Sequence, residues 1–326
     1  MRTLTFSLRG SIMRAALIHE WNTPPLISDV AEPQRLPGET LVQIDAAAVG
    51  HLDITVASGE FTLQPPLPYV PGVEGSGTVL ESDTFEPGTQ VILRDGTIGV
   101  DRDGTWREKA AVPDAALTPL RIRVDPSVAA TFFVPTATAY IALHDLGGLA
   151  KGQTVIVSGA TGAVGSMAVQ LALEAGANVI ALVSRSSRLA HLPAGVRGIA
   201  ADDAAAFALL AAERPADLLV DTIGGSGLSQ RIKCVKPGGK AICVGYTAGA
   251  KFTIDLPNWL VTDVTISPLS LISRQARAKE VTAQLLPKIA EGTIRVEFTE
   301  FPFEQTADAL HLLLNRDIRG RAVIRF

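Results

Sequence analysis

The stretch Thr154-Val-Ile-Val-Ser-Gly-Ala-Thr-Gly-Ala-Val-Gly165 decides the fold of this chain. It begins as a short apolar strand, turns at three glycines and continues as a helix, because apolar residues recur at helical spacing from Val164 to Ala175. Glycines let a backbone approach a phosphate closely, and a helix N-terminus offers unpaired N–H groups and a partial positive charge. The stretch therefore predicts a dinucleotide site in a Rossmann unit.

The glycine pattern alone is incomplete. Ala160 stands where the motif G-x-G-x-x-G has its first glycine. A plain tight turn is the alternative interpretation. The apolar strand before the turn and the amphipathic helix after it favour the dinucleotide site.

Composition and charge narrow the class of protein. The 326 residues are 47% hydrophobic with a mean hydropathy of +0.27, which is enough for two domains with separate cores. The net charge of −4 shows no basic excess, so a nucleic-acid partner is not indicated. No run approaches about 18 consecutive apolar residues, which argues against a membrane span.

Cysteine usage and the N-terminal residues bear on the compartment. The two cysteines, Cys234 and Cys243, are too few for a disulfide scaffold and favour a reducing environment. Residues 1–12 lack the apolar core of a signal peptide and are predicted to be an N-terminal tail. We therefore expect a soluble cytoplasmic protein.

The character of the sequence changes near residue 124. Residues 13–123 carry short β-like runs broken by proline and glycine turns, which predicts a small, mostly antiparallel β domain. Residues 124–270 alternate strands with helices, which is typical of a parallel sheet. Residues 294–326 return to strand, helix and strand, and we expect residues 271–326 to fold back on the first domain.

Periodicity and turn residues predict individual elements in the second region. The predicted strands are residues 154–158, 178–183, 216–221, 240–244 and 263–267. The predicted helices are residues 163–175, 203–214 and 226–233. Pro237-Gly-Gly239 is predicted to turn into the strand at 240–244.

Residues about twenty positions after the glycine turn distinguish the two nicotinamide coenzymes. NAD sites usually place Asp or Glu there for the ribose hydroxyls, whereas NADP sites place Arg for the 2′-phosphate. Here the stretch is Val183-Ser-Arg-Ser-Ser-Arg188, with no acid, two guanidinium groups and three hydroxyls. Because the planar guanidinium donates to phosphate through two N–H groups, the stretch predicts NADPH. A solvated basic turn is the alternative.

The sequence predicts no metal site. Neither cysteine lies in the N-terminal domain, and the five histidines are scattered without paired spacing. A Tyr-x-x-x-Lys pair and a Gly-x-Ser-x-Gly nucleophile elbow are absent as well. Asp53 and Glu74 are candidate polar residues of an active cleft, with hydrogen bonding to the backbone as their alternative role.

Motifs from residue 13 to residue 326 resemble those of the medium-chain dehydrogenase/reductase superfamily, specifically its zinc-free quinone oxidoreductase, zeta-crystallin-like branch. The resemblance rests on Pro71-Gly-x-Glu-x-x-Gly-x-Val79, Thr138-Ala-Tyr140, Gly152 to Gly165, Asp221-Thr-Ile-Gly-Gly225, Pro237-Gly-Gly239, Val244-Gly245 and Gly320-Arg-x-Val323. Zinc members carry Cys and His where this chain has Gly50 and Val73. The branch itself usually has Asn at the position of Gly50, in an N-x-x-D motif of which only Asp53 is present.

The resemblance implies an α/β fold, in which a GroES-like, mainly β domain joins a doubly wound, parallel-sheet Rossmann domain with the active cleft between them. The candidate catalytic residues are Asp53, Glu74, Phe61 at the cleft mouth and Thr138 near the nicotinamide. The cofactor-binding residues that the resemblance implies are Thr138, Gly159, Ala160, Thr161, Gly162, Ala163, Val164, Ser184, Arg185, Arg188, Gly245, Tyr246 and Arg321. A homodimer is also implied.

The resemblance and the lack of metal ligands together predict an NADPH-dependent oxidoreductase that transfers hydride to a quinone or an α,β-unsaturated carbonyl. A ketone or aldehyde reductase is the alternative among enzymes, disfavoured because no metal or Tyr acid would stabilise an alkoxide. The alternative outside enzymes is a non-catalytic NADPH-binding redox sensor or structural relative. This alternative stays open because Gly50 has no polar side chain at the position where the branch usually has Asn.

Overall fold

The computed structural model describes residues 11–95, 97–315 and 317–326, which form two compact units. The first unit comprises residues 11–131, Thr299–Ile318 and Ala322–Phe326, and the second comprises Phe132–Phe298 and Arg319–Arg321. Of the predicted N-terminal tail, residues 1–12, residues 1–10 lie outside the described residues. Residue 12 is the first residue of a strand and so is not part of a tail.

The elements are numbered in chain order. The strands are β1 (Ile12–Leu17), β2 (Leu26–Ala31), β3 (Glu39–Val49), β4 (Gly75–Glu81), β5 (Gln90–Leu93), β6 (Lys109–Pro113), β7 (Leu117–Pro119), β8 (Thr154–Ser158), β9 (Asn178–Val183), β10 (Arg197–Ala200), β11 (Ala216–Asp221), β12 (Val235–Cys243), β13 (Thr265–Pro268), β14 (Phe298–Pro302) and β15 (Arg321–Arg325). The helices are α1 (His51–Ala57), α2 (Pro126–Thr131), α3 (Phe133–Tyr140), α4 (Ala163–Glu174), α5 (Ala204–Glu213), α6 (Leu228–Ile232), α7 (Leu256–Thr262), α8 (Gln275–Ala290) and α9 (Thr306–Leu314). Among the helices of the described residues, none has both the length and the apolar composition needed to cross a bilayer.

The first unit is built on an antiparallel sheet. Its strands lie in the order β14-β15-β3-β4-β5-β7, with β6 also pairing with β3, while β1 and β2 form a separate antiparallel pair. From Glu39 to Ala46 buried and partly exposed side chains alternate along β3, as expected for a strand with one face on a core, and the last residues of the strand are all buried. In that core Trp106 is 1% exposed and donates its indole N–H to the carbonyl of Ala48 at 3.0 Å, so the polar atom of the largest side chain is satisfied.

The second unit is built on a parallel sheet in the order β10-β9-β8-β11-β12-β13. This is the strand order of a doubly wound sheet, which reverses between β8 and β11. The two central strands are almost wholly buried, which explains their continuous apolar runs. Because all strands are parallel, the loops that follow β8, β9, β11 and β12 meet at one edge of the sheet, and these loops hold the predicted cofactor residues.

Several sequence predictions match the strands. The bounds predicted for β8, β9 and β11 are confirmed. β12 begins earlier than predicted, at Val235, because Pro237-Gly-Gly239 is a shift of register within the strand and not a turn before it. β10 and α8 were not predicted.

The boundaries of the two units differ from the predicted domain boundaries. Residues 124–131 belong to the first unit, because α2 packs against β3, β4 and β5. Residues 271–298 belong to the second unit, because α8 packs against α3. The predicted return to the first domain therefore starts at Thr299 and is interrupted by Arg319–Arg321.

Candidate functional site

The predicted dinucleotide turn follows β8 and leads into α4. Gly159 has φ +60°, a left-handed conformation that favours glycine. At Gly165, in the first turn of α4, a Cβ would overlap the carbonyl oxygen of Gly159 and lie 2.7 Å from its carbonyl carbon. The turn and the helix therefore pack backbone against backbone, which glycine permits at these two positions.

The N-terminus of α4 presents main-chain donors at this turn. Gly162 is the N-cap and has no side chain to accept from them, and the N–H of Ser166 bonds back to the carbonyl of Gly162 at 2.8 Å. The N–H groups of Ala163, Val164 and Gly165 precede the first bond of the helical ladder. Together with the helix dipole they suit an anionic phosphate.

The short segment Arg319–Arg321 lies beside the same turn. A β-bridge joins Gly320 to Gly162, and the N–H of Arg321 donates to the carbonyl of Glu297 at 3.0 Å. Gly320 has φ +70°, and a Cβ there would overlap Glu297. The structure thus brings the predicted residue Arg321, which is 7% exposed, into the neighbourhood of the dinucleotide turn.

The loop after β11 packs against the dinucleotide turn. The Oγ1 of Thr222 donates to the carbonyl of Ser158 at 2.7 Å, and the N–H of Thr222 donates to the Oγ of Ser158 at 2.9 Å. The loop after β12 packs on Thr222 in turn, because a Cβ on Gly245 would overlap the Thr222 carbonyl. Tyr246, the next residue, is 49% exposed. The predicted cofactor residues of these three loops therefore lie along one edge of the sheet.

The basic turn after β9 also reaches the glycine turn. Nη1 of Arg188 donates to Oγ1 of Thr161 at 3.2 Å, whereas Ser184 and Arg185 are exposed where β9 ends. A cavity of about 510 Å³ opens beside the two turns, between α4, residues 191–193 and residues 293–297, and it is lined by Thr161. The structure thus brings Arg188 to the glycine turn, while Ser184 and Arg185 directly follow β9, the strand that pairs with β8.

Asp202 is a residue of this region that sequence reasoning missed. Its carboxylate accepts from the N–H of Ser186 at 3.2 Å and from the Oγ of Ser186 at 2.9 Å. These hydrogen bonds, the one from the backbone first, lower the pKa of Asp202. The acid follows β10 and fixes the start of the basic turn, so it is not the ribose-binding acid that an NAD site places directly after the second strand.

In the first unit, Asp53 bonds to the backbone. It is 1% exposed; Oδ2 accepts from the N–H of Gly50 at 2.7 Å and Oδ1 from the N–H of Val73 at 3.0 Å. Asp53 therefore has the alternative role of hydrogen bonding to the backbone, and its carboxylate connects the start of α1 to Val73. Gly50 has φ −130° and ψ 170°, an extended conformation open to any residue, so the backbone does not require glycine there.

The other two candidates of the first unit lie close to this connection. Glu74 is fully buried, and its carbonyl accepts from the N–H of Ala48 at 2.9 Å. Phe61 packs on a small apolar cluster that also contains Val73 and Tyr69. Burial, and then the charge of Asp53, raise the pKa of Tyr69, so its phenol stays protonated. The structure therefore brings Asp53, Glu74 and Phe61 into one neighbourhood.

Thr138 belongs to the second unit and lies on α3, where it is 4% exposed. The helix continues into a π-helical segment, Ile141–Leu146. In that region the ring of Tyr140 lies 4.6 Å from the ring of His144, and burial lowers the pKa of His144. Thr138 thus shares a unit with the predicted cofactor residues, while the other catalytic candidates belong to the first unit.

In the described residues, 11–95, 97–315 and 317–326, no three His, Cys, Asp or Glu side chains come together as possible metal ligands. Gly50 and Val73, which occupy the positions of Cys and His in zinc members, bring no ligand atoms from their side chains.

Family models match both units. Residues 36–122 match the model of the alcohol dehydrogenase GroES-like domain, and residues 163–290 match the model of zinc-binding dehydrogenases. Quinone oxidoreductase of Rattus norvegicus is 26% identical to this chain over 313 residues, covering 91% of this chain and 93% of its own length.

Solved structures agree with the fold. A structure described as an NAD-dependent alcohol dehydrogenase has a TM-score of 0.84 at 26% identity, covering 96% of this chain and 100% of its own. A mycobacterial protein solved with NADPH also has a TM-score of 0.84, at 23% identity, with the same coverage. The predicted GroES-like and Rossmann domains are confirmed. With two family models that together match more than half of its residues, the chain belongs to the medium-chain dehydrogenase/reductase superfamily of oxidoreductases.

Proposed function

We propose that this oxidoreductase is an NADPH-dependent reductase of quinones or α,β-unsaturated carbonyls that needs no metal. The observation that carries the coenzyme assignment is the contact between the basic turn and the glycine turn, Arg188 to Thr161 at 3.2 Å. A guanidinium held at this point lies where a 2′-phosphate would be recognised next to the pyrophosphate. The relative named quinone oxidoreductase supports the substrate class.

The residues present fit a dinucleotide. The close packing of Gly159 on Gly165 leaves the first-turn N–H groups of α4 to a pyrophosphate, and Arg321 would add charge beside them. Ser184, Arg185 and Arg188 would hold the 2′-phosphate. Gly245 and Tyr246 would lie along the cofactor, and Thr138 would lie near the nicotinamide.

The reaction would need little from the side chains beyond orientation of the substrate and exclusion of water. When bound, the reduced nicotinamide supplies a hydride for an electron-poor carbon. The protein would orient the substrate and exclude water, and an enolate or hydroquinone anion takes its proton from solvent. Asp53 would hold α1 and Val73 in place through its two backbone hydrogen bonds, as a positioning residue of the first unit.

The coenzyme assignment predicts that removing an arginine of the basic turn weakens the use of NADPH and leaves the use of NADH unchanged. For Arg188→Ala and Arg185→Ala we expect the KM for NADPH to rise about 10- to 100-fold, because a hydrogen bond to a charged group contributes roughly 1.5–3 kcal/mol. The KM for NADH should not change. Initial rates, followed by the absorbance of the reduced coenzyme, give both values. Arg197→Ala is the matched control, because Arg197 is exposed in the same unit and pairs with Glu213. Equal use of the two coenzymes by the wild type would overturn the assignment.

A panel of electrophiles separates the proposed reaction from its alternatives. We expect oxidation of NADPH with a quinone or an enone and little with a simple aldehyde. Turnover of simple aldehydes or ketones alone would favour the alternative that relatives named alcohol dehydrogenase represent. Tight NADPH binding without turnover of any electrophile would favour a redox sensor.

We also propose that the protein is a homodimer that associates through α7 and the edge strand β13. Along α7, Leu256, Leu260 and Val261 are 55%, 67% and 85% exposed, which is unusual for neighbouring apolar side chains on a monomer. β13 ends the sheet and has a ladder edge open to another strand. Light scattering coupled to size exclusion should show a dimer that Val261→Asp converts to monomer. Leu209→Asp, at a residue that is also exposed, should leave the dimer intact. A monomeric wild type would contradict the proposal.

A further inference from the structure

Asp221 and Arg231 form a buried ion pair next to the loop that follows β11. Asp221, at the end of the strand, is 1% exposed, and Arg231, on α6, is 8% exposed. The carboxylate accepts from Nε and Nη2 of Arg231 and also from the N–H groups of Gly224 at 2.7 Å and Ile223 at 3.3 Å. Both oxygens of this buried carboxylate therefore have a donor, Oδ1 from three N–H groups and Oδ2 from Nε of Arg231.

Arg231 also bonds the far end of the same loop. Its Nη2 donates to the carbonyl of Gly224 at 2.5 Å, so one guanidinium spans from the carboxylate at the strand end to the carbonyl three residues later. The loop bends sharply between these points, since Gly224 and Gly225 have φ +61° and +70°. The planar fork of arginine matches this arrangement, and the single ammonium of lysine does not.

The loop that Arg231 holds is joined to the loop after β12. The N–H of Ala248 donates to the carbonyl of Ile223 at 2.7 Å, and the N–H of Gly225 donates to the carbonyl of Gly249 at 2.8 Å. A Cβ on Gly224 would lie 2.7 Å from the carbonyl oxygen of Gly245. The position of residues 222–225 therefore fixes the position of Gly245 and Tyr246.

Stability alone does not explain such a pair. A buried ion pair is often replaced by apolar groups without loss of stability, because desolvation offsets the Coulomb attraction. We propose that Arg231 is a positioning residue of the cofactor site, which holds residues 222–225 and, through them, Gly245 and Tyr246 in the binding conformation. This inference rests on the proposed use of NADPH.

The test compares two arginine side chains of the second unit. Arg231→Met removes the guanidinium that bonds Asp221 and the carbonyl of Gly224. Arg214→Met removes a fork that bonds the carbonyl of Val235, through Nε at 3.1 Å and Nη2 at 2.9 Å, away from the loop. Two further variants test the inference if Arg231→Met does not fold. Asp221→Asn combined with Arg231→Met removes both charges, and Gly227→Ala places a Cβ 2.8 Å from Nη1 of Arg231 without removing any charge.

The readouts are the dissociation constant for NADPH and, without cofactor, amide hydrogen exchange in residues 222–226 and 245–250. We expect the dissociation constant to rise about tenfold or more in the Arg231 and Gly227 variants, with faster exchange in both loops. Arg214→Met should lower the melting temperature and leave the dissociation constant and the exchange of both loops unchanged. Unchanged binding and exchange in the double variant would overturn the inference alone. A wild type that binds no NADPH would overturn the proposed function, and the inference with it.

Discussion

Gly165→Ala is expected to weaken NADPH binding by about 10- to 100-fold, because overpacking a rigid contact costs roughly 1–3 kcal/mol. The added methyl group would overlap the Gly159 carbonyl oxygen and lie 2.7 Å from its carbon and 2.9 Å from Cα of Ala160. All three atoms belong to the backbone of the turn, so no side chain can rotate away. The helix must withdraw from the turn, and its first-turn N–H groups then lose their alignment with the phosphate.

Titration of NADPH and thermal unfolding of the apo protein check this result together. Ser166→Ala is the control on the same helix, since it removes only a hydroxyl that donates to the carbonyl of Ala163 at 3.2 Å and leaves the backbone of the turn unchanged. The control should bind as the wild type does. Normal binding by Gly165→Ala would contradict the assignment of this turn to the pyrophosphate.

Asp53→Ala is expected to destabilise the protein by roughly 2–6 kcal/mol, because it leaves one buried and one partly buried N–H group, each at a cost of about 1–3 kcal/mol, without an acceptor. These are the N–H groups of Gly50 and Val73, and the carboxylate joins them from Asp53, which is 3 residues from Gly50 and 20 residues from Val73. Asp53→Asn keeps one oxygen acceptor and should lose about half as much.

Denaturant unfolding of the two variants measures the difference. The order wild type, Asn variant, Ala variant is the expected order of stability. If Asp53→Ala unfolds at the same denaturant concentration as the wild type, the carboxylate does not hold α1, and a direct role toward substrate becomes the better explanation for its burial.

The sequence alone was sufficient to predict the central strands of the parallel sheet. β8, β9 and β11 are short apolar runs bounded by turn residues, and their burial on both faces makes the pattern local and easy to read. The glycine turn was equally clear, because its conformation depends on residues within one helical turn of each other. By contrast β10 has only four residues, one of them glycine, and lies at the edge of the sheet. Such a strand has too little pattern to recognise.

What the sequence could not show depends on contacts between distant residues. Asp202 meets Ser186 because β10 lies beside β9 in the sheet, and that pairing is invisible in the order of residues. Arg231 looks like an ordinary residue of a short polar helix until the loop folds back on it. α8 carries Pro287 near its end, which lowers the helical signal, although the helix tolerates it there.

The division of the chain into units has a consequence for biosynthesis. β3 pairs with β15, and the whole stretch from Phe132 to Phe298 is translated between them. The nucleotide-binding unit can therefore collapse around its own sheet while residues 46–49 of β3 still lack β15 as a neighbour. Pairing over so long a sequence separation is slow. The exposed edge of β3 is then the surface that a chaperone would protect, or that would aggregate, until the sheet closes.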